Sequence, residues 1–211
     1  MKRLLLFIFL LAVSVTLVRS QDYDIRKLKW GMSFDEVKKI EGLETELFKE
    51  DDLLGMRVDV NFGFDYKGLY AVIYSTRGSE FAFQADDVLR KKYGTPIIGM
   101  DYSFIMQSKD LLKHYPDVVI AIFEKGDLSL LEDVKSEDER KLIGNVLSKQ
   151  NMWAYGNTVT LLLKSPEVSR LSYWSKTHHE ENKKKFADFM VELKKSLLNK
   201  KTVTDDDSEK I

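Results

Sequence analysis

Along most of this chain apolar residues recur with one of two periods, and the period predicts the element. Phe34, Val37 and Ile40 recur every three residues, which is one face of a short helix. Ser33 and Glu36 stand at capping-box spacing ahead of them, and Gly42 supplies a left-handed stop. Trp30 precedes the cap, where an apolar residue folds back onto its helix. Residues 45–50 read as a first strand. Val58, Val60, Phe62 and Phe64 then alternate with Arg57, Asp59 and Asn61, the signature of a half-buried strand. "DYKG" at 65–68 is a turn, and 69–75 returns as the partner strand. Phe81, Ala85, Val88 and Leu89 lie at helical spacing, with Gly94 and Pro96 to end the run.

The second half reads the same way. "DVVIAIFEKG" at 117–126 is a short apolar run between turn residues and predicts a buried strand. Ser136 and Glu139 form a second capping box before Leu142, Ile143, Val146 and Leu147. Residues 151–164 and 168–176 predict two strands joined by "SPE". A long helix follows over 178–198, with Phe186, Phe189, Met190, Leu193 and Leu197 on one face. A hairpin followed by a helix thus occurs twice, at 57–93 and 153–198, consistent with a duplicated unit. The pattern predicts an α+β fold, an antiparallel sheet with helices packed on one face and the other face solvated. No Pro-, Gly- or Ser-rich linker divides it, so one domain is expected over 21–198.

The ends are different. Lys2 and Arg3 precede a nearly unbroken apolar run from Leu4 to Val18, and Val18 and Ser20 suit a signal peptidase site. Residues 1–20 are read as a signal peptide cleaved before Gln21. The competing reading, a retained anchor, needs a run of about 20 apolar residues. The tail 199–211, "NKKTVTDDDSEKI", is acidic and poor in apolar residues and is read as disordered. The chain has no cysteine, so disulfides, thiolate metal sites, a cysteine nucleophile and lipid anchoring at a cysteine are excluded. Stability must come from an ordinary core, which a chain of this size can bury. Disulfide-free export favours a bacterial periplasm or secretion. Of 33 Lys and Arg against 34 Asp and Glu, cleavage removes Lys2, Arg3 and Arg19, leaving 30 against 34 and a net charge of −4. That argues against a nucleic-acid partner.

"WGMSFDEVKKIEG" resembles the opening helix of a diffuse group of small exported bacterial α+β proteins. Gly31, Met32, Ser33, Glu36, Val37 and Gly42 carry the likeness, and "VLRKKYGTP" at 88–96 is similar to a helix end common among them. The outer-membrane assembly family of BamE (SmpA/OmlA) and the β-lactamase inhibitor proteins share this outline. The resemblance implies a non-enzymatic interaction domain.

Catalytic signatures are absent from the sequence: no G-x-S-x-G elbow, no P-loop, no G-x-G-x-x-G, no H-E-x-x-H. His178, His179, Glu180 and Glu181 are adjacent on a helix, so their side chains diverge by about 100° each and do not converge on one ion. The carboxylate pairs Asp51–Asp52, Asp86–Asp87 and Glu132–Asp133 read as solvated faces. No cofactor, metal or catalytic residue is therefore expected. The aromatics are the stronger lead. Tyr70, Tyr74, Trp153, Tyr155, Tyr173 and Trp174 lie in or beside predicted strands, and Tyr173 and Trp174, as neighbours, face opposite sides. An exposed aromatic sheet face would dock an envelope protein. The expected function is thus an exported, non-enzymatic binding protein of the bacterial envelope. The alternative is a periplasmic carrier of a small apolar or sugar ligand between sheet and helices, and the third reading is a hydrolase without a recognised motif.

Overall fold

In a computed structural model, residues 25–208 are described, with side chains through 198. The predicted signal peptide lies outside the described residues. The opening helix α1, Phe34–Glu41, carries the full capping box: Ser33 Oγ accepts from the Glu36 N–H, and Glu36 accepts the Ser33 N–H at 2.8 Å. Gly42 closes it at φ 68°. Ser33→Ala is expected to lower stability by about 1 kcal/mol, read as a lower urea midpoint with an unchanged slope. Trp30 packs against the core cluster that includes Val37 of α1, and it also reaches beyond it. Its indole donates to Thr158 Oγ1 at 3.0 Å, 128 residues away.

Seven strands form one antiparallel sheet: β1 Phe48–Leu53, β2 Met56–Asp65, β3 Gly68–Arg77, β4 Ile97–Gly99, β5 Gln150–Tyr155, β6 Thr158–Lys164 and β7 Val168–Ser175, in the order β1-β2-β3-β7-β6-β5-β4. The β2–β3 hairpin forms as the alternation predicts, with a register shift at Gly63/Phe64 that leaves Tyr70 without a Cα partner in β2. The segment predicted as one strand over 151–164 is two. Gly156 at φ 55° and Asn157 turn the chain between β5 and β6, a Gly-Asn hairpin signal hidden by the apolar residues around it.

The helices are α2 Glu80–Tyr93, α3 Tyr102–Gln107, α4 Lys109–Leu112, α5 Pro116–Lys125, α6 Glu137–Val146 and α7 Lys176–Ser208. Two expectations are corrected. The run 117–126 is the helix α5 and not a strand: Pro116 sits at its first turn, Gly126 ends it in the left-handed region, and Val118, Val119, Ala121 and Ile122 are buried. A short β-branched run does not separate the two periods, whereas the flanking Pro and Gly do. In addition, the backbone of α7 runs on to Ser208, so the boundary expected at 198 falls inside it. At α6 the second capping box is half formed. Ser136 caps the Glu139 N–H, but the Glu139 carboxylate accepts from the Tyr115 hydroxyl at 2.6 Å.

The α+β class and the antiparallel sheet are as predicted, but helices lie on both faces rather than one. Val58, Val60, Phe62, Val72, Tyr74, Leu162 and Leu171 pack with Val37 of α1 and with Phe81, Ala82, Ala85 and Leu89 of α2. The opposite parity, Ala71, Val159, Leu161 and Trp174, is equally buried. It lies under α3 and α7: Arg170 stacks on Phe104 at 4.0 Å and Trp174 on His178 at 6.0 Å. A second core, from Ile105 and Leu112 through Val119, Ile122 and Ile143 to Phe186 and Phe189, fills the helical layer beyond. The hairpin–helix succession does occur twice, yet its two helices, α2 and α7, occupy opposite faces.

Candidate functional site

The expected aromatic sheet face is not a surface. Tyr74, Trp153 and Trp174 are buried, 1–4% exposed. The Tyr74 hydroxyl accepts from Arg26 at 3.2 Å, and Arg26 in turn holds Glu41 and Asp51. The Trp153 indole donates to the Gly94 carbonyl at 2.9 Å, tying β5 to the end of α2. Tyr173 is partly buried, edge-on to Tyr74 at 6.0 Å. Tyr155 is 74% exposed at the β5–β6 hairpin tip, near Tyr93. Alternation tells which residues share a face. It does not tell whether a helix covers that face, and here both are covered. Of the six predicted residues, Tyr70 borders a concavity.

That concavity is a cleft of about 260 Å³ where β3, α3, α4 and α7 meet. Tyr70, Ser103, Met106, Gln107, Lys109, His178, Asn182 and Lys185 line it. Each arrives for a local reason. His178, Asn182 and Lys185 stand four and three residues apart, one stripe of α7. Ser175 Oγ accepts the His178 backbone N–H and fixes where that helix begins. Asp101 caps the next wall: its carboxylate accepts from the Phe104 N–H at 3.1 Å, starting α3 and setting Ser103 against α7. The unmatched Tyr70 of the β3 register shift shares the side of Trp174, on which it stacks at 5.9 Å.

Ser103 and Asn182 form the floor, both buried, with the Asn182 amide donating to Ser103 Oγ at 3.0 Å. A hydroxyl that accepts this bond still has its own proton to donate. His178 forms one wall. Its ring lies flat on Tyr70 at 3.9 Å, and its Nδ1 is 3.6 Å from Asp65 Oδ2. Burial holds its imidazole below the ordinary value, against the pull of Asp65 and Glu181. Glu181 itself is paired with Lys67 at 2.7 Å. Lys109 and Lys185 have no ion-pair partner among the described residues, and no carboxylate is among the lining side chains.

The neighbouring histidine goes elsewhere: His179 is buried against the Tyr102 ring at 5.4 Å. The two histidines thus serve different surroundings, and no group of three His, Asp or Glu able to hold a metal occurs among the described residues. Among the described residues, no hydroxyl is hydrogen-bonded to the His178 imidazole. The sequence flagged His178 but missed Ser103, Asn182 and the lysines. The stripe at 178, 182 and 185 is the legible signal. Ser103 and Lys109 reach it only through the fold.

Among the described residues, no helix is long and apolar enough to cross a membrane. No protein-family model matches the chain, and neither does any curated protein or any solved structure.

Proposed function

We propose that this chain is an exported, non-enzymatic binding protein that carries a small molecule in the cleft between α3 and α7. The carrying observation is the convergence of Ser103, Asn182, His178, Lys109 and Lys185 on one concave site beside an aromatic wall. Ligand sites combine a shaped cavity with a few placed polar groups. The covered sheet faces favour this reading over a flat docking face for an envelope protein. Export rests on residues 1–20, and the resemblance of the opening helix to envelope interaction domains agrees with a binding role.

Native mass spectrometry of the chain recovered from its own cells tests the proposal. The expected result is a small molecule retained by the protein and released from the Met106→Trp variant, whose larger ring fills the cleft. Recovery of the protein with no bound small molecule would overturn it.

A further inference from the structure

The chemistry of the cleft points to the class of ligand. Two lysines, one from α4 and one from α7, face the same space without ion-pair partners among the described residues. The Ser103 hydroxyl proton is free to donate beside them, because Asn182 already occupies its acceptor side. His178 adds a third cation when protonated. The charged groups around it are Asp65 from the end of β2, Glu181 and Lys185 from α7, and Lys67 behind Glu181. The two nearby carboxylates lie outside the lining, and one is already paired with Lys67. Inside the lining the charge is positive only. Met106 and the Tyr70 edge supply an apolar side for a carbon body.

We infer that the cleft takes a small organic molecule by its oxyanion, held by Lys109, Lys185 and Ser103, and more tightly when His178 is protonated. This rests on the carrier reading of the same cleft. The physics has two parts. An anion between two ammonium groups gains charge-assisted hydrogen bonds. An anion beside a partly buried imidazole favours its protonated form, so by linkage protonation favours the anion. Affinity therefore rises as the pH falls through the imidazole's titration. Each unit by which the bound anion raises that titration corresponds to at most a tenfold change in affinity.

Benzenesulfonate is a suitable probe, because its charge is constant between pH 5 and 8 and its ring matches the apolar side. Benzyl alcohol is the neutral control. Binding is followed by NMR on the imidazole resonances of the three histidines, His114, His178 and His179. The expected result is saturable perturbation of His178, binding about tenfold tighter at pH 5.5 than at pH 7.5, and loss in Lys109→Ala/Lys185→Ala. His114 should not respond. Perturbation of His178 by benzyl alcohol but not by benzenesulfonate would overturn the anion assignment and leave the carrier reading standing. Benzenesulfonate binding that is independent of pH, or unaffected by the double lysine variant, would overturn the roles given to these residues. No response to either probe would overturn the inference, and the retained molecule seen by mass spectrometry would then decide the carrier reading separately.

Discussion

Gly68→Ala is expected to cost about 3–5 kcal/mol of stability, far more than alanine at the other left-handed glycines. Gly68 closes the β2–β3 hairpin at φ 101°, a conformation that by itself costs a side chain about 1–3 kcal/mol. The larger effect is contact. A Cβ there would collide with the Gly31 carbonyl oxygen, and would lie 2.6 Å from its carbon and 2.7 Å from the Met32 oxygen. All three are backbone atoms, and they are not free to retreat. The Gly31 N–H donates to the Leu69 carbonyl at 2.9 Å, and the Leu69 N–H donates to the Met32 carbonyl at 2.8 Å. Moving the segment aside would break bonds worth about 1 kcal/mol each. Gly156→Ala is the matched control, with φ 55° and nothing within 4 Å of the new Cβ. It should cost only about 1–2 kcal/mol. Urea unfolding of both variants measures the difference. Equal losses would mean that the close approach of Gly31 carries no energy.

This contact explains the Trp-Gly-Met-Ser run ahead of α1. Trp30 reaches Thr158 on β6, Gly31 and Met32 pair with Leu69 beside the hairpin turn, and Ser33 starts α1. The segment is a clip from the first helix onto two distant hairpins. The sequence made the cap and the stop at Gly42 legible, since those signals are local and need only a few residues. It did not make the clip legible, because Gly68 and Thr158 are chosen by tertiary geometry.

The same division runs through the rest. The β2–β3 hairpin and α2 were readable because alternation and helical spacing were clean there. Within α2, Val88 matches the spacing yet is exposed, while Ala82 is buried. Helical period fixes a stripe, and the neighbour's position decides which edge of the stripe is covered. The run Val118–Ile122 deceived because β-branched residues suit a strand, while five consecutive apolar positions carry no period. Burial in the helical layer overrides that propensity. The aromatics misled for a related reason: a sheet covered on both faces buries both parities. In the cleft, His178 stood out in the sequence by composition, but its meaning depends on Tyr70, Ser103 and Lys109, which no spacing connects to it.

Asp101→Ala should be the other severe variant, at about 3–5 kcal/mol. Asp101 is 1% exposed and lies 3.4 Å from the Arg170 guanidinium. Burial pushes its carboxyl above the ordinary value, and Arg170 only partly offsets this. Burial likewise draws Arg170 down, against the pull of Asp101. An arginine nevertheless keeps its charge, so deleting Asp101 leaves an uncompensated cation under α3. The Arg170 Nε and Ser172 Oγ have no hydrogen-bond partner among the described residues, and the Trp174 indole N–H lies beside the carboxyl without closing a bond. Beyond the Phe104 ring at 4.0 Å, the surroundings therefore offer the stranded charge little, and α3 also loses its cap at Phe104. Removing both charges at once should hurt less. Asp101→Leu/Arg170→Met exchanges a desolvated pair for apolar side chains that suit its buried setting, a replacement that is often near neutral. The expected pattern in urea unfolding is a double variant more stable than Asp101→Ala alone. A double variant that loses the sum of the two single losses would show that the two groups act independently, with no coupling between their charges. The cleft gives the pair a second readout. Asp101 starts the helix that carries Ser103, so Asp101→Ala should weaken benzenesulfonate binding even at temperatures where the variant is still folded. The double variant keeps the packing but not the cap, and it should recover stability without recovering the full affinity.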